Sequence, residues 1–267
     1  MIIDGRYIAE EIITRLAARR DALPLVLSMG VLMGAEDAAS ASFVRIKERV
    51  AERLRVRVVR EVLTEATTTE GAIRAARSLC ENTQGVLAQL PLPPHLDTQQ
   101  ILAAIVPMRD LDAVNPTVAY GERVVHAPVA EAIAEIFLRT NIELRRKKAV
   151  VVGAGALVGA PSAQLLRERG ADVSIITQSR GSLEELKNAD IVVLGAGDPG
   201  FVKPEMLKQG VVLIDAGTSE SSGKLAGDAD PACAEVASVF TPVPGGVGPI
   251  AVSMLFKNLF TLAEHSK

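Results

Sequence analysis

The sequence predicts an α/β fold, with two α/β domains around a cleft, the second a Rossmann-like parallel sheet with helices on both faces. First, strand-like and helix-like patterns alternate almost throughout, which is typical of parallel sheets. Second, 267 residues are enough for two modest domains with their own cores. Third, prolines and glycines interrupt the alternation over 107–127. We therefore predict a first domain over 1–120, joined by a C-terminal helix over 250–267, and a second domain over 121–249.

The first predicted domain contains four helical and three strand-like segments. Its first helix carries Ile8, Ile12 and Leu16 on one face. The strand-like run GVLAQL ends in PLPP, which cannot continue the interior of a sheet. The predicted helices span 6–21, 37–54, 67–80 and 97–106, and the predicted strands span 25–33, 55–62 and 85–90.

The second predicted domain repeats the alternation more regularly. A helix over 128–139 leads into it, and Gly170 is placed to end a later helix at its C′ position. The segment TPVPGGVGP at 241–249 is predicted to be a second proline- and glycine-rich loop. The predicted strands span 148–155, 171–179, 189–197 and 210–217, and the other predicted helices span 157–170 and 250–264.

Composition excludes several classes of function. The net charge of −3 provides no basic excess for nucleic acid, and aromatic residues are only 3%. No apolar run reaches the roughly 18 residues of a membrane helix, and charges from position 4 argue against a signal peptide. Two cysteines, Cys80 and Cys233, fit a reduced, cytoplasmic compartment. The three histidines are far apart, so we predict no metal site.

The sharpest motif is a glycine turn between a hydrophobic strand and a helix. Gly153 would allow the turn, Gly155 would let a pyrophosphate approach, and Gly159 would let the helix pack on the strand. The helix N-terminus would offer free N–H groups to phosphate. The third glycine comes one place later than in the usual fingerprint, and a purely structural glycine turn is the alternative.

The end of the next strand favours NADP over NAD. An acidic residue there would bind the ribose 2′-OH, whereas arginine accommodates a 2′-phosphate. The sequence has Ser179 and Arg180 at this point, with no acid before Glu184. The alternative is that Arg180 is an ordinary solvated loop residue.

Four polar residues of the first domain are weaker candidates. Lys47 lies on a predicted helix with apolar neighbours, where a lowered pKa would let it move protons, but a surface lysine has the same spacing. Gln89 ends a buried strand, where open α/β sheets bind ligands. Asp110 and Asp112 could bind a polar ligand or simply cap a turn.

Seven segments spread nearly end to end along the chain carry a resemblance to a known family. They are IIDGRYIAEEI, SFVRIK, GVLAQLPLPPHL, RDLDAVNP, GAGALVGAP, NADIVVLGAGDPG and TPVPGGVGPIAVSML. With these segments the chain resembles bifunctional methylenetetrahydrofolate dehydrogenase/methenyltetrahydrofolate cyclohydrolase. Of these segments, TPVPGGVGP and QLPLP are the most specific.

The resemblance implies a homodimer with a folate-binding catalytic domain and an NADP-binding domain. It implies oxidation of 5,10-methylenetetrahydrofolate with NADP, then hydrolysis of the methenyl form to 10-formyltetrahydrofolate. Lys47 matches the catalytic lysine, Gln89 the glutamine that hydrogen-bonds it, and Asp112 the aspartate that holds the pterin. Phe43 and the segment Gly246, Val247, Gly248 and Pro249 fall beside the folate. The residues that match the dinucleotide site are Gly153, Ala154, Gly155, Gly159, Ser179, Arg180 and Thr218.

The chain departs from the family pattern at several positions. Phe43 stands where the family has tyrosine, and Ala113 and Gly155 replace a usual glycine and serine. His126 and Ala127 replace the Cys-Thr of Cys-Thr-Pro. Because hydrolysis needs acid–base groups and hydride transfer needs mainly positioning, we expect a retained dehydrogenase and a weakened cyclohydrolase. A non-catalytic folate- or nucleotide-binding paralog with a regulatory role, or a dehydrogenase for another small substrate, are the alternatives.

Overall fold

The chain forms two compact α/β units. The structure, a computed structural model, describes residues 1–23, 26–35, 38–221 and 224–265, with the backbone alone for 38–43, 220, 221 and 224. Glu11–Pro128 and Val252–Lys267 form one unit, which we call the three-stranded unit. Met1–Glu10 and Val129–Ala251 form the other, the five-stranded unit. Both sheets are parallel with flanking helices, as the alternating pattern predicts.

The three-stranded unit has strand order β2-β1-β3. The central strand is buried along nearly its whole length, which explains its continuous apolar run. Each crossover is helical, as parallel pairing requires. Its elements are α1 (Gly5–Asp21, which begins in the other unit), β1 (Ser28–Gly34), α2 (Ala38–Arg53), β2 (Arg57–Leu63), α3 (Thr69–Asn82), β3 (Gly85–Gln89) and α4 (Thr98–Ala103).

The five-stranded unit has strand order β10-β7-β6-β4-β5. Its central strands β4 and β6 contribute Val150 and Val192 to a core that also contains Leu213 of β7. The elements are α5 (Pro128–Thr140), β4 (Lys148–Val152), α6 (Gly159–Glu168), β5 (Asp172–Ile176), β6 (Ile191–Leu194), β7 (Val212–Asp215), β8 (Ser219–Ser221), β9 (Lys224–Ala226), β10 (Val239–Phe240) and α7 (Val247–His265, which ends in the other unit).

The boundary between the units falls at 128/129 rather than at the predicted 120/121. The segment after 120 is held to the three-stranded unit by a ring contact across the predicted boundary and by a hydrogen bond from α7. The rings of Tyr120 and His126 stack with centroids 4.7 Å apart. Asn258 of α7 donates to the carbonyl oxygen of His126 at 2.8 Å. Tertiary contacts of this kind leave no mark in local composition.

The first residues also belong elsewhere than predicted. The Ile3 amide donates to the Phe240 carbonyl, and the Phe240 amide donates to the Met1 carbonyl, both at 2.9 Å. Residues 1–3 therefore extend the edge of the five-stranded sheet, and Met1–Glu10 belong to that unit. The antiparallel β8–β9 pair and the two-residue β10 were also not predicted, since strands this short carry little periodicity.

The prediction of a loop over 241–249 is wrong at its end, because α7 already begins at Val247. Gly248 and Pro249 lie in its first turn. Proline is tolerated there because the first N–H groups of a helix have no partner within it. Within the part of the chain that is described, no helix combines the length and hydropathy needed to cross a membrane.

Candidate functional site

Lys47, Gln89 and Asp112 come together in the three-stranded unit. Lys47 lies on α2, and its Nζ donates to Gln89 Oε1 at 2.8 Å. Gln89 is the last residue of β3, as expected for a ligand-binding end of a parallel strand. Its Nε2 donates to the Leu90 carbonyl at 3.2 Å, which orients the amide so that its oxygen faces the lysine.

Asp112 reaches this site because its segment runs beside β3. The Leu111 amide donates to the Val86 carbonyl at 3.1 Å, and Asp110 pairs with Val86 in a parallel bridge. Gly85 makes this approach possible, since a Cβ atom there would lie 2.4 Å from Leu111 Cδ2. The segment thus adds a short extension to the sheet and carries Asp112 toward the end of β3.

Burial and mutual charge set the protonation of this site. Burial lowers the pKa of the Lys47 ammonium, and the Asp112 carboxylate partly offsets that effect. Burial, together with a smaller contribution from the nearby Asp110 carboxylate, raises the pKa of Asp112 to about 7, although the charge of Lys47 opposes the shift. Both groups therefore titrate closer to neutrality than free side chains, which is typical of acid–base sites.

Two residues that sequence reasoning missed support this arrangement. Asn258 is buried, and its Nδ2 donates to the carbonyl oxygens of Leu111 and His126 at 2.9 and 2.8 Å. Arg123 donates to the carbonyl oxygens of Asn115 and Val118 at 3.2 Å. A polar residue within the apolar stretch of α7 was the available signal for Asn258, whereas Arg123 had none.

The other folate-side candidates are less closely defined. Phe43 lies on α2, but its side chain is outside the described part of the chain. Gly246, Val247, Gly248 and Pro249 belong to the five-stranded unit, at the start of α7. The Gly246 amide donates to the Pro242 carbonyl at 2.7 Å, which folds the preceding turn back on itself.

The glycine turn in the five-stranded unit has the predicted strand–turn–helix context. Gly153 adopts φ +101°, a conformation that favours glycine. A Cβ atom at Gly159 would lie 2.1 Å from the Gly153 carbonyl oxygen, so α6 could not pack this closely with another residue. At Gly155 a Cβ atom would meet nothing within 4 Å, and Ala154 and Gly155 are exposed.

This turn fits a dinucleotide. At the start of α6, Val158 makes no side-chain cap, the Ala160 amide donates to the Gly155 carbonyl at 3.1 Å, and Pro161 has no N–H. The backbone of Ala154 and Gly155 is exposed beside this end of the helix. An exposed glycine turn at the positive end of a helix fits an anion such as a pyrophosphate.

The residues after β5 form a tight turn at the sheet's carboxyl edge. The Thr177 amide donates to the Arg180 carbonyl at 2.8 Å, and the Thr177 and Ser179 hydroxyls lie 3.3 Å apart. Ser179 and Arg180 are both exposed. Thr218, which follows β7, is exposed as well.

Sequence reasoning also missed a buried pair of aspartates in this unit. Asp215 ends β7, and Asp228 follows β9. Burial raises the pKa of Asp215 to about 6 and also raises that of Asp228. Glycine-rich loops around two acids were the only signal in the sequence. Among the described residues, no group of three or more His, Cys, Asp or Glu is arranged to hold a metal ion.

Comparison with known proteins covers nearly the whole chain. Residues 3–112 match the family model for the catalytic domain of tetrahydrofolate dehydrogenase/cyclohydrolase, and residues 127–267 match that for its NAD(P)-binding domain. The bifunctional protein FolD of Halothermothrix orenii is 40% identical over 273 residues, covering 96% of this chain and 95% of that protein. FolD of Thermus thermophilus is 35% identical over 269 residues, covering 98% and 95%.

A solved structure is similar over the same length. It is the methylenetetrahydrofolate dehydrogenase-cyclohydrolase of Trypanosoma brucei, complexed with NADP and an inhibitor. The TM-score is 0.93 at 32% sequence identity, and the match covers 100% of this chain and 98% of the other.

Proposed function

Because the chain belongs to the tetrahydrofolate dehydrogenase/cyclohydrolase family, we propose that it oxidises 5,10-methylenetetrahydrofolate to the methenyl form with NADP and hydrolyses that product to 10-formyltetrahydrofolate. The observation that carries the proposal is the hydrogen bond between Lys47 and Gln89, with Asp112 close enough to shift the lysine pKa.

We assign the folate chemistry to the three-stranded unit. Asp112 is the acceptor for N–H donors of the pterin, and its buried position makes an ionised carboxylate a strong acceptor. Lys47 faces the reacting carbon, and Gln89 orients its ammonium group. We assign Phe43, Gly246, Val247, Gly248 and Pro249 to the rest of the folate contact, on the family resemblance.

We assign dinucleotide binding to the five-stranded unit. NADP, when bound, supplies the hydride acceptor. The exposed backbone of Ala154 and Gly155, at the positive end of α6, receives its pyrophosphate, and Arg180 pairs with its 2′-phosphate. The full set assigned to the dinucleotide is Gly153, Ala154, Gly155, Gly159, Ser179, Arg180 and Thr218.

The hydrolytic step makes a different demand on the same residues. Water must be activated and a proton moved, so a group that exchanges protons near neutral pH is needed. Lys47 is the candidate, because burial lowers the pKa of its ammonium from the ordinary lysine value. The substitution at Phe43 removes the hydroxyl that the family places beside this lysine, so we propose a dehydrogenase that is stronger than the cyclohydrolase.

A spectrophotometric assay of the purified protein tests the proposal. With methylenetetrahydrofolate as the substrate, we expect the protein to reduce NADP faster than NAD. Hydrolysis is measured in a separate assay that starts from the methenyl form. Lys47→Met is the control, since it removes the proton-exchanging group. A protein that shows neither activity but is stabilised by NADP or a folate analogue would support the non-catalytic paralog instead. Ligand at 100 times its Kd adds about 2.7 kcal/mol, which a thermal shift detects.

Two broader parts of the proposal follow from the family resemblance. We propose a homodimer, to be checked by light scattering after size-exclusion chromatography. We also propose a cytoplasmic location, to be checked by fractionation of cells that express the protein.

A further inference from the structure

The sheet of the five-stranded unit reverses its strand order between β4 and β6. From β4 the chain moves to β5 on one side and then returns to β6 on the other. Open α/β sheets bind ligands at such a reversal, outside the carboxyl ends of the two strands. The loops that follow β4 and β6 therefore form the two walls of the dinucleotide crevice.

These two walls are in contact. A Cβ atom at Gly153 would lie 2.4 Å from the Gly195 carbonyl oxygen, and one at Gly195 would lie 2.4 Å from Val158 Cγ1. The backbone after β6 thus packs directly against the glycine turn after β4. A displacement of the loop after β6 would therefore also displace the residues that hold the pyrophosphate.

One buried carboxylate holds the β6 wall in place. Asp228 accepts hydrogen bonds from the backbone amides of Ala196 at 2.7 Å, Gly197 at 3.2 Å and Asp198 at 2.9 Å. Its side chain is fully buried. Three consecutive amides therefore converge on a single carboxylate group, an arrangement in which each bond is strengthened by the charge.

A second carboxylate fixes the first. Asp215 accepts from the amides of Gly217 at 2.9 Å, Asp228 at 3.2 Å and Ala229 at 2.8 Å. The backbone of Gly217 lies so close to Asp228 that a Cβ atom at Gly217 would lie 2.3 Å from the Asp228 carboxylate. Asp215 thus sets the backbone of Asp228, which in turn sets the loop after β6.

We propose that Asp228 is a positioning residue for the dinucleotide, acting through the backbone of residues 196–198, with Asp215 supporting it. The inference rests on the proposed function, because it assumes that the crevice holds a dinucleotide. As a positioning residue, Asp228 does not touch the dinucleotide. It fixes the wall against which the glycine turn packs, and so keeps the crevice open to the width that a nucleotide needs.

The chemistry of the side chain makes the inference testable with a nearly isosteric change. A carboxylate offers acceptors on both oxygens, whereas an asparagine has one acceptor oxygen and an NH2 group that would face the amides of the loop. Asp228→Asn therefore leaves at least one of the three loop amides without an acceptor, and the NH2 group of the asparagine repels that amide. Asp190 provides the matched control. Asp190 lies at the amino end of β6, on the side of the same sheet away from the loop after β6, and accepts from the Lys148 amide at 3.0 Å.

The experiment measures NADP binding by calorimetry and the KM values for NADP and for methylenetetrahydrofolate. We expect Asp228→Asn to weaken NADP binding by about tenfold or more, the effect of losing about 1.4 kcal/mol. The KM for the folate should stay within about twofold, since the catalytic residues lie in the other unit. Asp190→Asn should leave both constants unchanged.

Each other outcome decides the question. A folded Asp228→Asn variant that binds NADP normally overturns the inference, as does a variant in which both KM values rise together with a lower melting temperature. If Asp228→Asn does not fold, Asp228→Glu decides, because it keeps the charge but displaces it by one methylene: weaker NADP binding supports the inference and normal binding overturns it. A wild-type protein that does not bind NADP refutes the proposed function instead.

Discussion

Replacing Asp112 by asparagine should change stability in a way that depends on pH. The carboxyl group is buried, and its pKa is raised from the ordinary 3.8 to about 7. A carboxyl whose pKa is higher in the folded state stabilises the fold below the unfolded pKa, and this contribution is lost as the pH rises through the folded pKa. The window for Asp112 therefore runs from about pH 4 to about pH 7.

The size of the effect follows from the same two values. The difference between 3.8 and about 7, at 1.36 kcal/mol per pH unit, is about 4 kcal/mol. Since an asparagine does not ionise, the free energy of unfolding of Asp112→Asn should rise relative to wild type by up to about 4 kcal/mol between pH 4 and pH 8. Activity should fall at the same time, because the pterin loses its charged acceptor.

Urea unfolding at several pH values measures this difference. Asp215→Asn is the matched control, since burial raises that pKa to about 6. Its relative gain should be about 3 kcal/mol and should be complete near pH 6, whereas that of Asp112→Asn continues to about pH 7. A stability difference between Asp112→Asn and wild type that is constant from pH 4 to pH 8 would refute the reasoning.

Four further substitutions test other parts of the account. Ala113 has φ +54°, a left-handed conformation that strains any residue with a Cβ atom. Ala113→Gly should therefore stabilise the protein by about 1 kcal/mol in urea unfolding, and a loss of stability would contradict the idea that Ala113 is strained. Phe43→Tyr should raise the cyclohydrolase rate more than the dehydrogenase rate, by up to about 10²-fold, and equal, robust rates in the parent protein would count against the idea. Arg180→Ala should raise the KM for NADP about tenfold but not that for NAD, and an equal rise for both would remove its role at the 2′-phosphate. Asn258→Ala should lower the free energy of unfolding by about 2 kcal/mol, because the buried Leu111 carbonyl and the partly buried His126 carbonyl lose their donor. A change below about 0.5 kcal/mol would show that both carbonyls find other donors.

The alternation of elements was predictable because it follows from local burial. A strand buried on both faces, such as β1, must be apolar along its length, and a turn with positive φ at Gly153 must use glycine. Such constraints act within a few residues of the chain. They determine the fold class and the place of the dinucleotide turn.

Sequence context made Lys47, Gln89 and Asp112 only weak candidates, and the family resemblance was needed to give them roles. Lys47 and Gln89 are 42 positions apart, and nothing in their own neighbourhoods indicates that they form a hydrogen bond. Their meeting depends on the placement of α2 relative to β3 and on the short extension of the sheet by residues 110–112. The shifted pKa values depend on the same burial, which is a property of the folded chain alone.

The amino-acid sequence by itself determined the alternating fold, the glycine turn and the family, since each is written in neighbouring residues. Only the tertiary structure decided that residues 1–3 pair with the five-stranded sheet and that Asn258 supports the segment before Asp112. It also decided that Asp228 accepts hydrogen bonds from three amides of a loop some 30 positions away. The physical reason is that a buried polar group is stabilised by partners from distant segments, and the chain brings these together only when it folds.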